Sequence, residues 1–83
     1  MTKSAKLLRV ARNRPNNLRF EELCRLAEAC GFEWVHGSGS HRVYAREGVV
    51  EILNFQPRKD GKAKAYQVRQ LLTIIKRYGL EPR

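Results

Sequence analysis

The chain has 83 residues and a formal net charge of +9, and 42% of its residues are hydrophobic. This length fits one small domain, and the hydrophobic content argues against intrinsic disorder. No apolar run is long enough to cross a bilayer, and two cysteines do not make a disulfide framework. We therefore expect a folded domain of the reducing cytoplasm that makes no contact with a membrane.

Charged residues are distributed unevenly along the chain. Residues 1–19 contain six lysines and arginines and no acidic residue, whereas residues 20–34 contain four glutamates and one arginine. Basic residues return in the second half, at Arg42, Arg46, Arg58, Lys59, Lys62, Lys64 and Arg69. This asymmetry indicates a surface for a polyanion or an acidic protein partner, and the alternative is a solvated basic surface.

Two helices are predicted in the first third of the chain. Residues 3–14 form a short amphipathic pattern that Pro15 cannot continue. A second pattern covers residues 19–30, and its broad apolar arc includes both cysteines. We interpret residues 1–17 as a basic helical arm and residues 18–83 as the domain to which it is attached.

Three short strands with period-two alternation are predicted next, at residues 33–36, 41–46 and 49–55. Glu47-Gly48 is a credible turn between the second and third strands. A basic loop at 56–64 then leads to a final helix at 65–78, which buries Val68, Leu71, Leu72 and Ile75. Two helices covering one face of three antiparallel strands give a two-layer α+β domain. Double-stranded-RNA-binding domains use this helix, sheet, helix order, here with an extra N-terminal helix.

The segment Gly39-Ser40-His41 is the most informative about chemistry, because an imidazole can move protons near neutral pH. Gly39 allows a sharp backbone approach, and Ser40 can bond a phosphate oxygen or orient the turn. The alternative is a Gly/Ser-rich loop with an incidental histidine, since so short a motif is weak evidence. RNA carries its own nucleophile, the 2′-hydroxyl, so a base, an acid and cations are sufficient for cleavage without a metal.

His41 can serve as that base or acid, and His36 is a second, weaker candidate proton carrier. Tyr44 is either a core residue or a platform on which a base stacks, because alternation alone leaves the buried face of its strand open. The candidate RNA-binding residues are Arg42, Tyr44, Arg46, Lys59, Lys62, Lys64 and Arg69.

A zinc site and a serine-hydrolase triad are both poorly supported. Cys24 and Cys30 are six residues apart on a predicted helix, about 9 Å along its axis, so they cannot easily share a metal or a disulfide. Ser40 and His41 are strand neighbours whose side chains diverge, and Asp60 lies in a charged loop. We expect buried cysteines, no metal and no cofactor.

Three segments carry a resemblance to a known family. They are Gly39-Ser40-His41-Arg42-Val43-Tyr44, the loop Gly61-Lys62-Ala63-Lys64, and the helix from Val68-Arg69-Gln70 to Tyr78-Gly79-Leu80. With the helix end at Cys30-Gly31-Phe32, they resemble HicA-type toxins over about residues 18–80, and the first segment resembles the G-S-H-x-x-(aromatic) signature. The resemblance implies a small mRNA interferase with a double-stranded-RNA-binding-like fold and a cognate HicB-type antitoxin. It also implies that His41 is catalytic and that Gly39 and Ser40 shape its loop.

The chain departs from that family pattern at two places. Many relatives have a basic residue before G-S-H, where this chain has Ser38, and a second histidine near the end of the third strand. This chain has Asn54-Phe55-Gln56-Pro57 there. Two other functions are carried as alternatives: a non-catalytic RNA-binding module of the same fold, and a DNA-binding or interaction protein that uses the basic N-terminal helix. The sequence predicts no oligomeric state.

Overall fold

The computed structural model describes residues 2–83, and within them it contains three α-helices and a three-stranded antiparallel sheet. The helices are α1 (Lys3–Asn13), α2 (Phe20–Ala29) and α3 (Ala65–Tyr78), and the strands are β1 (Glu33–Ser38), β2 (His41–Ala45) and β3 (Leu53–Phe55). A 3-10 turn at Pro15–Asn17 separates α1 from α2. The predicted α+β, double-stranded-RNA-binding-like order with an extra N-terminal helix is confirmed.

Local signals in the sequence explain where the helices begin and end. The Thr2 hydroxyl accepts a hydrogen bond from the Ala5 amide at 3.1 Å and so caps α1. The Arg19 amide donates to the Glu22 carboxylate at 2.9 Å, which satisfies a free donor at the start of α2. Gly79 ends α3 with a φ of +64°, a conformation that glycine adopts without a side-chain penalty.

The hydrophobic core lies between the helices and one face of the sheet. The sheet contributes Tyr44, Leu53 and Phe55, all fully buried, and the rings of Tyr44 and Phe55 lie 5.7 Å apart between centroids. The helices contribute Phe20, Leu23, Cys24, Leu26 and Ala27 from α2 and Val68, Leu71, Ile74 and Ile75 from α3. The predicted buried arc of α2 is confirmed, whereas Leu72 of α3 is only partly buried.

The N-terminal helix is packed against the rest of the fold. α1 contacts both α2 and α3, and its Ala11 is fully buried. The Ser4 hydroxyl donates to the Arg83 carbonyl oxygen, while the Arg83 amide donates to the Ala29 carbonyl at 3.0 Å. The division into an arm and a domain stays a prediction, and within residues 2–83 no helix is long and apolar enough to span a membrane.

The third strand is shorter than predicted, because the residues before it leave the sheet. Alternation predicts a strand at 49–55, but pairing with β2 covers only Leu53 to Phe55. The Glu51 carboxylate instead accepts hydrogen bonds from the Tyr78 hydroxyl at 2.7 Å and from Arg77, both at the end of α3. The Tyr78 hydrogen bond lowers the pKa of Glu51. The predicted turn at Glu47-Gly48 is present, but the connection between β2 and β3 is longer than a tight hairpin turn, because β3 begins only at Leu53.

Strand register gives the sheet a covered face and an open face. Tyr44 pairs with Leu53 of β3, and both side chains are buried under the helices. Val43 pairs with Asn54, and alternation places these two, together with His41, on the opposite side. We call this uncovered side the open face.

Candidate functional site

His41 is the first residue of β2, and its exposed imidazole lies on the open face. Two amide side chains from the neighbouring chain segment contact the same ring nitrogen. His41 Nε2 lies 2.9 Å from Asn54 Oδ1 and 3.2 Å from Gln56 Nε2. Antiparallel pairing of Arg42 with Phe55 produces this arrangement, because it brings the residues on either side of Phe55 beside His41.

A lysine extends the polar cluster toward α3. The Lys64 ammonium donates to Gln56 Oε1 at 3.3 Å, and Lys64 is the residue that immediately precedes α3. The backbone N–H of Gln56 donates to Oε1 of Gln67, a buried side chain of α3, at 3.1 Å. The His41 cluster, defined as His41, Asn54, Gln56 and Lys64, is therefore anchored to a helix as well as to the sheet.

The hairpin that presents His41 requires glycine at position 37. Gly39 and Ser40 form the turn between β1 and β2, as expected for a supporting loop. A Cβ atom at Gly39 would meet nothing within 4 Å, whereas a Cβ at Gly37 would lie 1.9 Å from the His41 carbonyl oxygen. Gly37 also has a φ of +98°. The close backbone approach predicted for Gly39 thus occurs at Gly37.

Tyr44 is a core residue, so its prediction as an RNA-stacking platform is wrong. Its side chain has no exposed surface, because β2 turns this residue toward α2. The Tyr44 hydroxyl donates to the Glu28 carboxylate at 2.6 Å. Burial is the main reason that the pKa of Tyr44 is raised well above its ordinary value, and the hydrogen bond to Glu28 raises it further.

Arg42 of β2 and Arg46, which directly follows β2, lie away from the His41 cluster. The Arg42 side chain is only 13% exposed, and its guanidinium bonds the Glu21 carboxylate at 3.0 Å. That guanidinium also lies 4.3 Å from the centroid of the Trp34 ring, which holds it on the helix side of the sheet. Arg46 is half-buried beside Gly31, about 16 Å along the strand from His41. Neither geometry supports a contact with RNA at His41.

The remaining predicted cations lie on the basic loop and on α3. Lys59 is exposed at the tip of the loop, and Arg69 is exposed on α3. Lys62 is half-buried, and its amide donates to the Asp60 carboxylate at 3.0 Å. The loop is fixed to the start of α2 by the Phe20 amide, which donates to the Gly61 carbonyl at 3.1 Å. Lys64 is thus the predicted cation that the structure connects to His41.

Sequence reasoning missed three residues of this region: Asn54, Gln56 and Tyr66. Asn54 and Gln56 alternate with Phe55, a signal for one face of a strand, but their pairing with His41 depends on strand register. Tyr66, at the start of α3, is 60% exposed, and its hydroxyl accepts from Gln67 Nε2 at 3.3 Å. Tyr66 is therefore an exposed aromatic ring connected through Gln67 to the backbone of Gln56.

The cysteines take no part in this arrangement. Cys24 and Cys30 are free and buried, as predicted, and burial raises the pKa of both thiols. Across residues 2–83 no three His, Cys, Asp or Glu side chains are grouped so that they could hold a metal ion. What the His41 cluster offers is an accessible imidazole, two amides and an ammonium. These groups can move a proton and stabilise negative charge.

The fold and the His41 cluster define a class of small basic α+β proteins with an exposed histidine beside a lysine. A family model described as HicA toxin of bacterial toxin-antitoxin matches residues 20–80. The chain therefore belongs to the HicA toxin family, and its toxin role implies a partner antitoxin. No curated protein and no solved structure matches the chain significantly. The helix α1 lies outside the matched residues.

Proposed function

We propose that this toxin is a metal-independent mRNA endoribonuclease whose catalytic residue is His41. The observation that carries the proposal is the exposed imidazole of His41, which is held by Asn54 and Gln56 with the Lys64 ammonium beside them. A proton acceptor next to a fixed cation is the minimum that cleavage through the RNA 2′-hydroxyl requires.

The proposed reaction is an internal transesterification. His41 takes the proton of a 2′-hydroxyl, whose oxygen forms a bond to phosphorus while the bond between phosphorus and the 5′-oxygen breaks. The 5′-oxygen takes a proton from water, and the hydroxide left behind takes the proton that His41 holds, so that a 2′,3′-cyclic phosphate, a 5′-hydroxyl and neutral His41 result. Lys64 stabilises the charge that develops on the phosphoryl oxygens, and Lys59, Lys62 and Arg69 bind the RNA backbone.

The antitoxin partner in this proposal is an acidic HicB-type protein. The chain carries a formal net charge of +9, and Lys59 and Arg69 are exposed. A protein that covers His41 and the basic loop would block RNA both sterically and through charge complementarity. Toxin and antitoxin then act in the cytoplasm, where mRNA is available.

Purified mRNA incubated with the protein in EDTA and analysed on a gel tests this function. The parent should give discrete cleavage, and His41→Ala should lower the rate by about 100-fold or more, as expected for loss of a proton-transfer group. His36→Ala is the matched control, because His36 is also exposed on the open face but its ring makes no hydrogen bond to His41, Asn54 or Gln56.

Equal cleavage by the parent and by His41→Ala would exclude His41 as the catalytic residue. Loss of cleavage by the parent when EDTA is added would exclude a metal-independent reaction. Binding of RNA without any cleavage by the folded parent would instead identify a non-catalytic RNA-binding module.

A further inference from the structure

Two amide side chains beside His41 make incompatible demands on one ring nitrogen. Asn54 Oδ1, at 2.9 Å from Nε2, can only accept a hydrogen bond and therefore requires a proton on Nε2. Gln56 Nε2, at 3.2 Å, can only donate and therefore requires a lone pair there. A single ring nitrogen cannot satisfy both amides at once.

Lys64 decides the orientation of the Gln56 amide. An ammonium has only donors, so the group facing Lys64 Nζ at 3.3 Å must be the Gln56 oxygen. The NH₂ end of Gln56 is then turned toward His41. The backbone of Gln56 is fixed as well, since its amide donates to Gln67 of α3.

The two distances favour the contact with Asn54. Its Oδ1 lies 2.9 Å from Nε2, the usual length of an N–H···O hydrogen bond, whereas Gln56 Nε2 is farther away, at 3.2 Å. We propose that Asn54 is a positioning residue that holds the proton of neutral His41 on Nε2, while the Lys64-bound Gln56 pulls the ring toward the opposite tautomer.

The consequence is that Nδ1 becomes the working nitrogen of His41. In residues 2–83 no protein group hydrogen-bonds to Nδ1, so its lone pair is accessible to a substrate proton. That Nδ1 receives the substrate proton rests on the proposed ribonuclease function. The tautomer itself is a property of the RNA-free protein and can be measured independently.

The experiment is ¹⁵N NMR of the histidine side chains in the RNA-free protein, at a pH where the rings are neutral. His41 should show a pyrrole-type signal at Nε2 and a pyridine-type signal at Nδ1. In Asn54→Ala the Gln56 donor is left unopposed, so both signals should move toward the opposite tautomer. His36 is an internal reference whose signals should not change.

Two further variants separate tautomer control from a merely structural role. Asn54→Asp retains an oxygen acceptor and should keep the proton on Nε2, whereas Gln56→Ala removes the competing donor and should increase the Nε2–H fraction. Asn54 is exposed, Gln56 is half-buried and neither belongs to the core, so these substitutions should leave the fold intact. His41 signals that are identical in the parent and in Asn54→Ala, or shifts of the same sign in Asn54→Ala and Gln56→Ala, would overturn the proposal.

Kinetics provide the second readout. Asn54→Ala should lower kcat by about 10- to 100-fold with little change in KM, because the wrong tautomer leaves binding intact but removes part of the proton transfer. Asn54→Asp should retain more of kcat than Asn54→Ala. If His41→Ala cleaves RNA as well as the parent, the ribonuclease function fails, whereas the tautomer assignment is still decided by the NMR signals.

Discussion

At the scale of single residues, the surroundings of Tyr44 and Tyr66 decide which of these two can contact a nucleobase. Tyr44 lies in the core with its hydroxyl bonded to Glu28, so no base can reach its ring. Tyr66 is 60% exposed at the start of α3, two residues after Lys64 of the His41 cluster. A base that stacks on Tyr66 would place the adjoining phosphate close to that lysine.

We therefore expect Tyr66→Ala to weaken RNA binding by about 10-fold, in line with the usual contribution of one stacked base. Tyr66→Phe preserves the aromatic ring and should bind like the parent. Tyr44→Phe preserves the core and should also leave affinity unchanged. Fluorescence anisotropy with a labelled single-stranded RNA measures all three, and an unchanged Kd for Tyr66→Ala would exclude stacking on this ring.

At the scale of elements, the β1–β2 hairpin determines where the imidazole of His41 is presented. Gly37 pairs with Arg42 just before the turn, and its α-carbon faces the backbone of His41. Gly39 in the turn has open space around it. A methyl group at position 37 would therefore collide with the backbone, whereas one at position 39, only two residues away, would project into open space.

Gly37→Ala should destabilise the protein by about 1–3 kcal/mol or more, because its methyl group would meet a backbone oxygen at a positive φ. Gly39→Ala should change the free energy of unfolding by no more than about 0.5 kcal/mol, as at an unconstrained surface site. Urea denaturation followed by circular dichroism measures both values. Equal stability of the two variants would contradict the hairpin geometry described here.

Elements governed by local signals could be predicted closely from the sequence. The bounds of α3 agree with the prediction, because a helical apolar period ends at Gly79. β3 could not be bounded, because the apolar alternation of residues 49–55 continues past the end of its partner strand. What withdraws those residues from the sheet is the contact of Glu51 with α3, which lies far along the chain.

The candidate site was also predictable only where local signals in the sequence define it. His41 has a recognisable local motif, and alternation placed it opposite Tyr44 without showing which face was buried. Asn54 and Gln56 escaped notice because their contact with His41 depends on the register of β2 against β3. A connection of seven residues, from 46 to 52, sets that register, and its conformation is fixed by tertiary contacts.

At the scale of the whole molecule, three arginines and the lysines of the basic loop differ in their pairing with carboxylates. Arg42, Arg58 and Arg77 each form an ion pair with a nearby carboxylate. The lysines of the basic loop make none, so their charge remains available to a polyanion. Under the proposed function, these lysines and the exposed Arg69 are the groups that would bind RNA or an acidic antitoxin.

In the proposed reaction the RNA supplies its own nucleophile and His41 moves the proton. The most direct test is chemical analysis of the ends of the fragments that the parent produces from a purified transcript. We expect 5′-hydroxyl ends, which a kinase labels without prior dephosphorylation, together with 2′,3′-cyclic phosphates. Fragments with 5′-phosphate and 3′-hydroxyl ends, or an intact transcript, would contradict this reaction.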